Sequence, residues 1–353
     1  MSTDAPAVPA GRFSRFFPWT RDLRTAQIVR FSVAATTAAV IAFAGAWPLS
    51  FVCPVLTVVL LANKIPGFTH RTWIAIFYVL GAMLLGLVFV LFLHPYPAVF
   101  VLTIGLAFFN IYYFINRGGS FVFGLICLLS IIILPILTTQ HEQLAMLFAL
   151  YFGLSASLAV IIFIVANVLF PDPPGSPEPP DAHFEPGYSE TAAKAALKST
   201  LAIMPLVILF NWFEFTAEIL TIVYAGILGL TAESAAGWEF GKKMFKATLI
   251  GGFASLVIYW LLVAVPELHF LMVLWFVTMM IFASVIFSDH PLSKYAGSAT
   301  TAMTILIFFS LGAEANNFGK IVIRIVLMGA AAVYVWAAFA VIDRFLLREK
   351  PVD

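Results

Sequence analysis

The sequence predicts an all-α integral membrane protein of about twelve transmembrane helices, arranged as two parallel six-helix repeats. Three observations predict it. The first is composition: of 353 residues, 62% are hydrophobic and 10% charged, where a soluble domain carries roughly 25% charged residues. The second is that apolar runs of about 20 residues recur from end to end, each long enough to cross roughly 30 Å of hydrocarbon as a helix. These runs are continuously apolar rather than alternating, which favours helices over a barrel. The third is a proline-rich stretch at the midpoint, with segments on its two sides that can be laid over each other.

In chain order, residues 1–27 form a cytoplasmic or interfacial lead-in. Arg12, Arg15, Arg21 and Arg24 are mixed there with Phe13, Phe16, Phe17 and Trp19, which suits a short helix lying in the membrane interface. The segment lacks the separate apolar core and small-residue cleavage site of a secretory signal. The first repeat, 28–170, holds spans near 28–47, 49–63, 72–93, 97–115, 120–138 and 143–170. Pro54 is expected to interrupt the short second span. Residues 171–192 form a linker beginning P-D-P-P-G-S-P-E-P-P, extended and cytoplasmic. The second repeat, 193–347, holds spans near 193–211, 214–232, 245–265, 269–287, 294–312 and 319–345, and 348–353 is a cytoplasmic tail.

Charge sets the expected orientation. With the N-terminus in the cytoplasm, all of the 19 Lys and Arg fall on that side except Lys320 and Arg324, as the positive-inside bias requires. A wrong span count would scramble this sorting. Both termini are therefore expected in the cytoplasm. The repeat is read from R-T-W-I-A-I-F-Y-V-L-G, starting at Arg71, over K-K-M-F-K-A-T-L-I-G-G, starting at Lys242. Arg71 then meets Lys242, Gly81 meets Gly252 and Pro95 meets Pro266; further on, Gly124 meets Gly297 and Gly153 meets Gly329. An even number of spans per half makes the repeat parallel, with its axis along the membrane normal.

Several motifs are weak. G-W-E-F-G-K-K, residues 237–243, has three residues between its glycines instead of four and Lys243 where Ser or Thr should bind magnesium. The lysines there, Lys242, Lys243 and Lys246, are better suited to lipid phosphates. H-E-Q-L-A, residues 141–145, lacks the second His of a zinc helix. Cys53 and Cys127 sit in apolar runs as small hydrophobes. No catalytic constellation, metal site or cofactor is expected, and a net charge of +1 argues against a nucleic-acid partner. Gly81, Gly86, Gly251 and Gly252 read as helix-packing positions.

Ionisable groups inside spans are costly unless paired or wet, so they are the informative class. The stretch N-W-F-E-F-T-A-E-I-L puts Glu214 at the outer surface and Glu218 about one turn inside. Arg324 lies about a turn into the last span from the same side, with Glu314 in the loop before it. A structural ion pair or snorkelling to headgroups remains the alternative for Glu218 and Arg324. Asn63 and Glu233 end corresponding spans on the inner side, and Asn110, Tyr112 and Tyr113 polarise the inner half of the fourth. The path candidates are therefore Glu218, Arg324, Asn110, Tyr113, Glu233 and Asn63. The repeat lays Glu214 and Glu218 over Ala46 and Ser50, so the carboxylates belong to the second half alone.

A basic lead-in, six spans repeated in parallel, and a basic residue ten positions before a small-residue segment, as from Arg71 to G-A-M-L-L-G, together resemble the fusaric acid resistance-type family. That family includes aromatic carboxylic acid efflux proteins and, more distantly, plant aluminium-activated malate channels. The chain looks most like a compact bacterial branch without the cytoplasmic domain of larger members, which implies spans in the inner membrane of a bacterial cell; the resemblance covers about residues 20–347. It implies an inner-membrane exporter of small, often aromatic, organic acids that works with a periplasmic adaptor. The expectation is a proton-coupled secondary efflux transporter for small organic anions, embedded in membrane lipid and open to homo-oligomerisation, and not an enzyme. Two other readings stay open: a passive anion channel, and a non-transporting scaffold of an envelope assembly.

Overall fold

The computed structural model describes residues 22–62, 70–93, 96–173, 187–213, 219–230, 237–312 and 318–345. Every regular element among them is an α-helix, and there are twelve. They are α1 (Leu23–Gly45), α2 (Val52–Ala62), α3 (His70–Leu93), α4 (Pro97–Asn116), α5 (Phe121–Gln140) and α6 (Glu142–Leu169), followed by α7 (Glu190–Trp212), α8 (Ile219–Gly229), α9 (Gly237–Ala264), α10 (Leu268–Ile286), α11 (Ser293–Gly312) and α12 (Phe318–Phe345). Seven are long and apolar enough to cross a membrane, which suits a multi-pass membrane protein.

α2 and α8 are each described over 11 residues, about 16 Å at the rise of an α-helix; residues 63–69 after α2, and 214–218 and 231–236 beside α8, lie outside the described residues. Pro54 does not interrupt α2. It occupies the first turn, where a missing N–H costs nothing. What sets the start of the helix is the turn before it. Ala46 and Leu49 both take positive φ, 45° and 63°, a region that normally favours glycine. The Trp47 indole N–H donates to Ser155 Oγ at 2.9 Å, and the Ser155 hydroxyl donates to the Leu49 carbonyl at 3.2 Å. The strained turn is thereby pinned to α6.

Packing places these helices inside. Every residue of 52–61 is buried, and so are nearly all of 222–230. The middles of α5 and α11 are likewise buried on all sides. Around this centre, α1 packs on α10, α4 on α7, α2 on α11 and α5 on α8. Within the first six helices, α3 packs on α5 and α6, and α2 on α6; within the last six, α9 packs on α11 and α12, and α8 on α12. Aromatic contacts lock α1 to the last six helices: Phe31 meets Phe287 edge-on at 6.1 Å, and Phe43 meets Phe308, which in turn meets Trp275. The outward faces carry large apolar side chains such as Phe77, Leu102, Leu106, Phe253 and Val326, a surface fitted to lipid. Cys53 and Cys127 are buried and unbridged, as small hydrophobes should be.

The glycines divide. A Cβ on Gly86 would come within 2.6 Å of Ser130 Cβ, and one on Gly251 would fall on the Ala299 carbonyl oxygen. These are close helix crossings of the kind small residues permit. Gly81 meets nothing within 4 Å, so the packing role read for it from sequence does not hold.

Candidate functional site

One set of polar side chains surrounds the central helix α8, and two ion pairs lie at one end of the bundle. Three side-chain hydrogen bonds tie α8 to three different neighbours. From α4, the Tyr112 hydroxyl donates to the Gly226 carbonyl at 3.2 Å. From α7, the Ser199 hydroxyl donates to the Gly229 carbonyl at 2.9 Å. Toward α9, the Tyr224 and Thr248 hydroxyls share a bond of 2.7 Å. All four side chains are buried, so each bond is strengthened by its low-dielectric surroundings and costly to leave half-made. In α2, by contrast, the buried Thr57 hydroxyl donates back to its own helix at the Cys53 carbonyl. Replacing Tyr112 with Phe should cost about 1 kcal/mol, the worth of one neutral bond, read as a lower melting temperature in detergent.

At the bundle end, two ion pairs each join the start of one helix to the end of another. The Arg30 guanidinium on α1 lies 3.0 Å from the Asp172 carboxylate just past α6, and also donates to the Phe170 carbonyl at 3.2 Å. The Lys198 ammonium on α7 lies 2.6 Å from the Asp343 carboxylate on α12 and 5.0 Å from the centroid of the Phe339 ring, one turn earlier on the same helix. In both pairs the cation is the buried partner: side-chain exposure is 12% for Arg30 against 35% for Asp172, and 10% for Lys198 against 41% for Asp343.

The sequence-derived candidates separate on this framework. Glu218, Glu233 and Asn63 lie outside the described residues, as do Glu214 and Glu314. The backbone of Arg324 belongs to α12, and its side chain lies outside the described residues. Tyr113 is half-buried. Its hydroxyl accepts the Ser189 backbone N–H at 3.1 Å, its ring stacks on Phe109 at 6.0 Å, and the Arg117 guanidinium lies 5.4 Å from its centroid. It anchors the residue that caps α7, since Ser189 Oγ accepts the Ala192 N–H. Asn110 is exposed and donates to the Leu106 carbonyl of its own helix at 2.7 Å. It continues the outward stripe of Leu102 and Leu106, opposite the buried stripe of Phe100, Ile104, Phe108 and Tyr112. The structure therefore brings Tyr112, not Asn110 or Tyr113, to α8. Sequence reading had passed over Ser199, Tyr224, Thr248 and both ion pairs.

Residues 27–166 match a family model described as protein of unknown function (DUF2955). The matched stretch runs from α1 almost to the end of α6. No curated protein and no solved structure matches the chain.

Proposed function

We propose that the chain is an inner-membrane secondary efflux transporter for small organic anions, built as two parallel six-helix repeats and driven by the proton gradient. The observation that carries this reading is the pair of buried helices α2 and α8 in corresponding positions of the two halves, each packed against the other half at the centre of the bundle. Repeat-built transporters place their substrate sites at the interface between the repeats.

The repeat draws support from the neighbours of each helix. Exchanging α1–α6 for α7–α12 turns α1 on α10 into α7 on α4, α2 on α11 into α8 on α5, and α3 on α5 into α9 on α11, all of which are packed pairs. The same exchange turns the Arg30–Asp172 pair into Lys198–Asp343. The family match also ends where one six-helix unit ends. The resemblance to the fusaric acid resistance-type family suggests aromatic carboxylates as substrates and a periplasmic adaptor as partner. The basic end of the bundle would then face the cytoplasm.

Glu218 directly precedes α8. In this reading it exchanges a proton as its surroundings change, because loss of water favours the neutral carboxyl. The buried centre corresponds to a closed state, and transport requires α2 and α8 to part from their neighbours. In reconstituted vesicles loaded with a labelled aromatic carboxylate, an imposed proton gradient should drive efflux. Glu218→Gln should lower that rate about a hundred-fold or more, within the range for a positioned proton-transfer group. Proton-coupled efflux left intact by Glu218→Gln would remove the residue from the mechanism. Substrate currents in planar bilayers that ignore the proton gradient would replace the transporter with a passive channel.

A further inference from the structure

We infer that Lys246, Lys294 and Tyr295 form a binding site for the phosphate of an acidic phospholipid headgroup, at the bundle end where α9 and α11 begin. The starting point is the G-W-E-F-G-K-K segment. It is no phosphate loop, since residues 237–243 are the opening turns of α9. Its lysines continue along that helix to Lys246, with Lys243 one turn earlier and so on the same side. Across from them, Lys294 stands in the first turn of α11. The Lys246 and Lys294 ammonium groups lie 5.9 and 5.3 Å from the centroid of the same Tyr295 ring.

Three features make this arrangement costly without an anion. A cation in the first turn of a helix opposes the positive end of the macrodipole. Two like charges are brought to one ring, which the ring's negative face only partly offsets. Among the described residues, neither lysine has a carboxylate partner, and Asp289 in the preceding loop forms no ion pair. An oxyanion beside the two ammonium groups, near the α11 N-terminus, offsets all three together. Both lysines are exposed and Tyr295 is half-buried, so the site opens outward, where headgroups reach it, and not into the helical core. The inference goes beyond the transport reading and does not depend on it.

The test is native mass spectrometry of the full-length chain in detergent, with phosphatidylglycerol or phosphatidylcholine added. Two headgroup-level lysines predict roughly a thirty-fold preference for phosphatidylglycerol in the unaltered chain. The double variant Lys246→Gln/Lys294→Gln should lose that preference, while Lys246→Arg/Lys294→Arg and Lys194→Gln keep it. Lys194 is a suitable control because it is already bonded to Glu190 at 2.9 Å on α7. A preference unchanged in the glutamine double variant overturns the site. If that variant fails to fold, Lys294→Gln alone should weaken the preference, and an unchanged value again overturns the site. Inorganic phosphate at the same concentration should raise the melting temperature less than phosphatidylglycerol does. The reverse order would hand the site to a free ion and overturn the lipid assignment.

Discussion

Gly251→Ala is expected to destabilise the protein by roughly 3 kcal/mol, at the top of the usual range for overpacking. The added methyl would fall on the carbonyl oxygen of Ala299, with the Met303 backbone N only 3.1 Å away. Backbone cannot rotate out of the way as a side chain can, so α9 and α11 must move apart. That pair is among the most extensively packed in the molecule, and separating it loosens contacts along its whole length. Gly81→Ala is the matched control. Nothing lies within 4 Å of its added methyl, and alanine is the better helix former by up to about 1 kcal/mol. Thermal unfolding followed by size-exclusion chromatography in detergent reads both. Similar melting temperatures for the two variants would mean that the α9–α11 crossing is looser than described.

The second large effect is an asymmetry within one ion pair. Asp343→Ala should cost about 2–3 kcal/mol, somewhat below the roughly 3–5 of a fully buried pair. Lys198→Met should cost about 1 kcal/mol or less. The difference follows from which partner is left behind. Asp343→Ala strands an ammonium that is 10% exposed, whereas Lys198→Met leaves a carboxylate that is 41% exposed and can be hydrated. The methionine also keeps an apolar stem against Phe339. Asp172→Ala should be milder than Asp343→Ala, because Arg30 keeps its bond to the Phe170 carbonyl. Melting temperatures of the three variants supply the order. Lys198→Met proving the most damaging would mean that the ring contact, not the charge pairing, holds α7 to α12.

The helices were legible because their signal is long and redundant. Some twenty apolar residues in a row admit few structures in a membrane. Helix ends were less legible, because they depend on single contacts. Nothing near Pro54 in sequence reveals that Ser155, on a distant helix, holds the preceding turn. The glycine readings failed at Gly81 for a related reason: a glycine permits a close approach but does not cause one.

The site was the least legible part. Tyr112 and Tyr113 are adjacent and chemically alike, yet successive residues on a helix point about 100° apart. Only one of them can face α8. The spacing of Phe100, Ile104, Phe108 and Tyr112 carries the information that chooses between them, but reading it requires knowing which face is inward. Arg30 and Lys198 were visible only as basic residues on the expected cytoplasmic side. Their partners lie 140 or more residues away, and no local pattern links them.

The contact of α1 with α10 bears on how the molecule is made. α1 packs against a helix completed only after more than two hundred further residues have been synthesised. Until then, Phe31 and Phe43 lack the aromatic partners they meet in the finished protein. α1 must therefore wait with one face uncovered until α10 is made, and a chain stopped at the proline-rich linker would hold α1–α6 with two open flanks, where α7 and α10 belong.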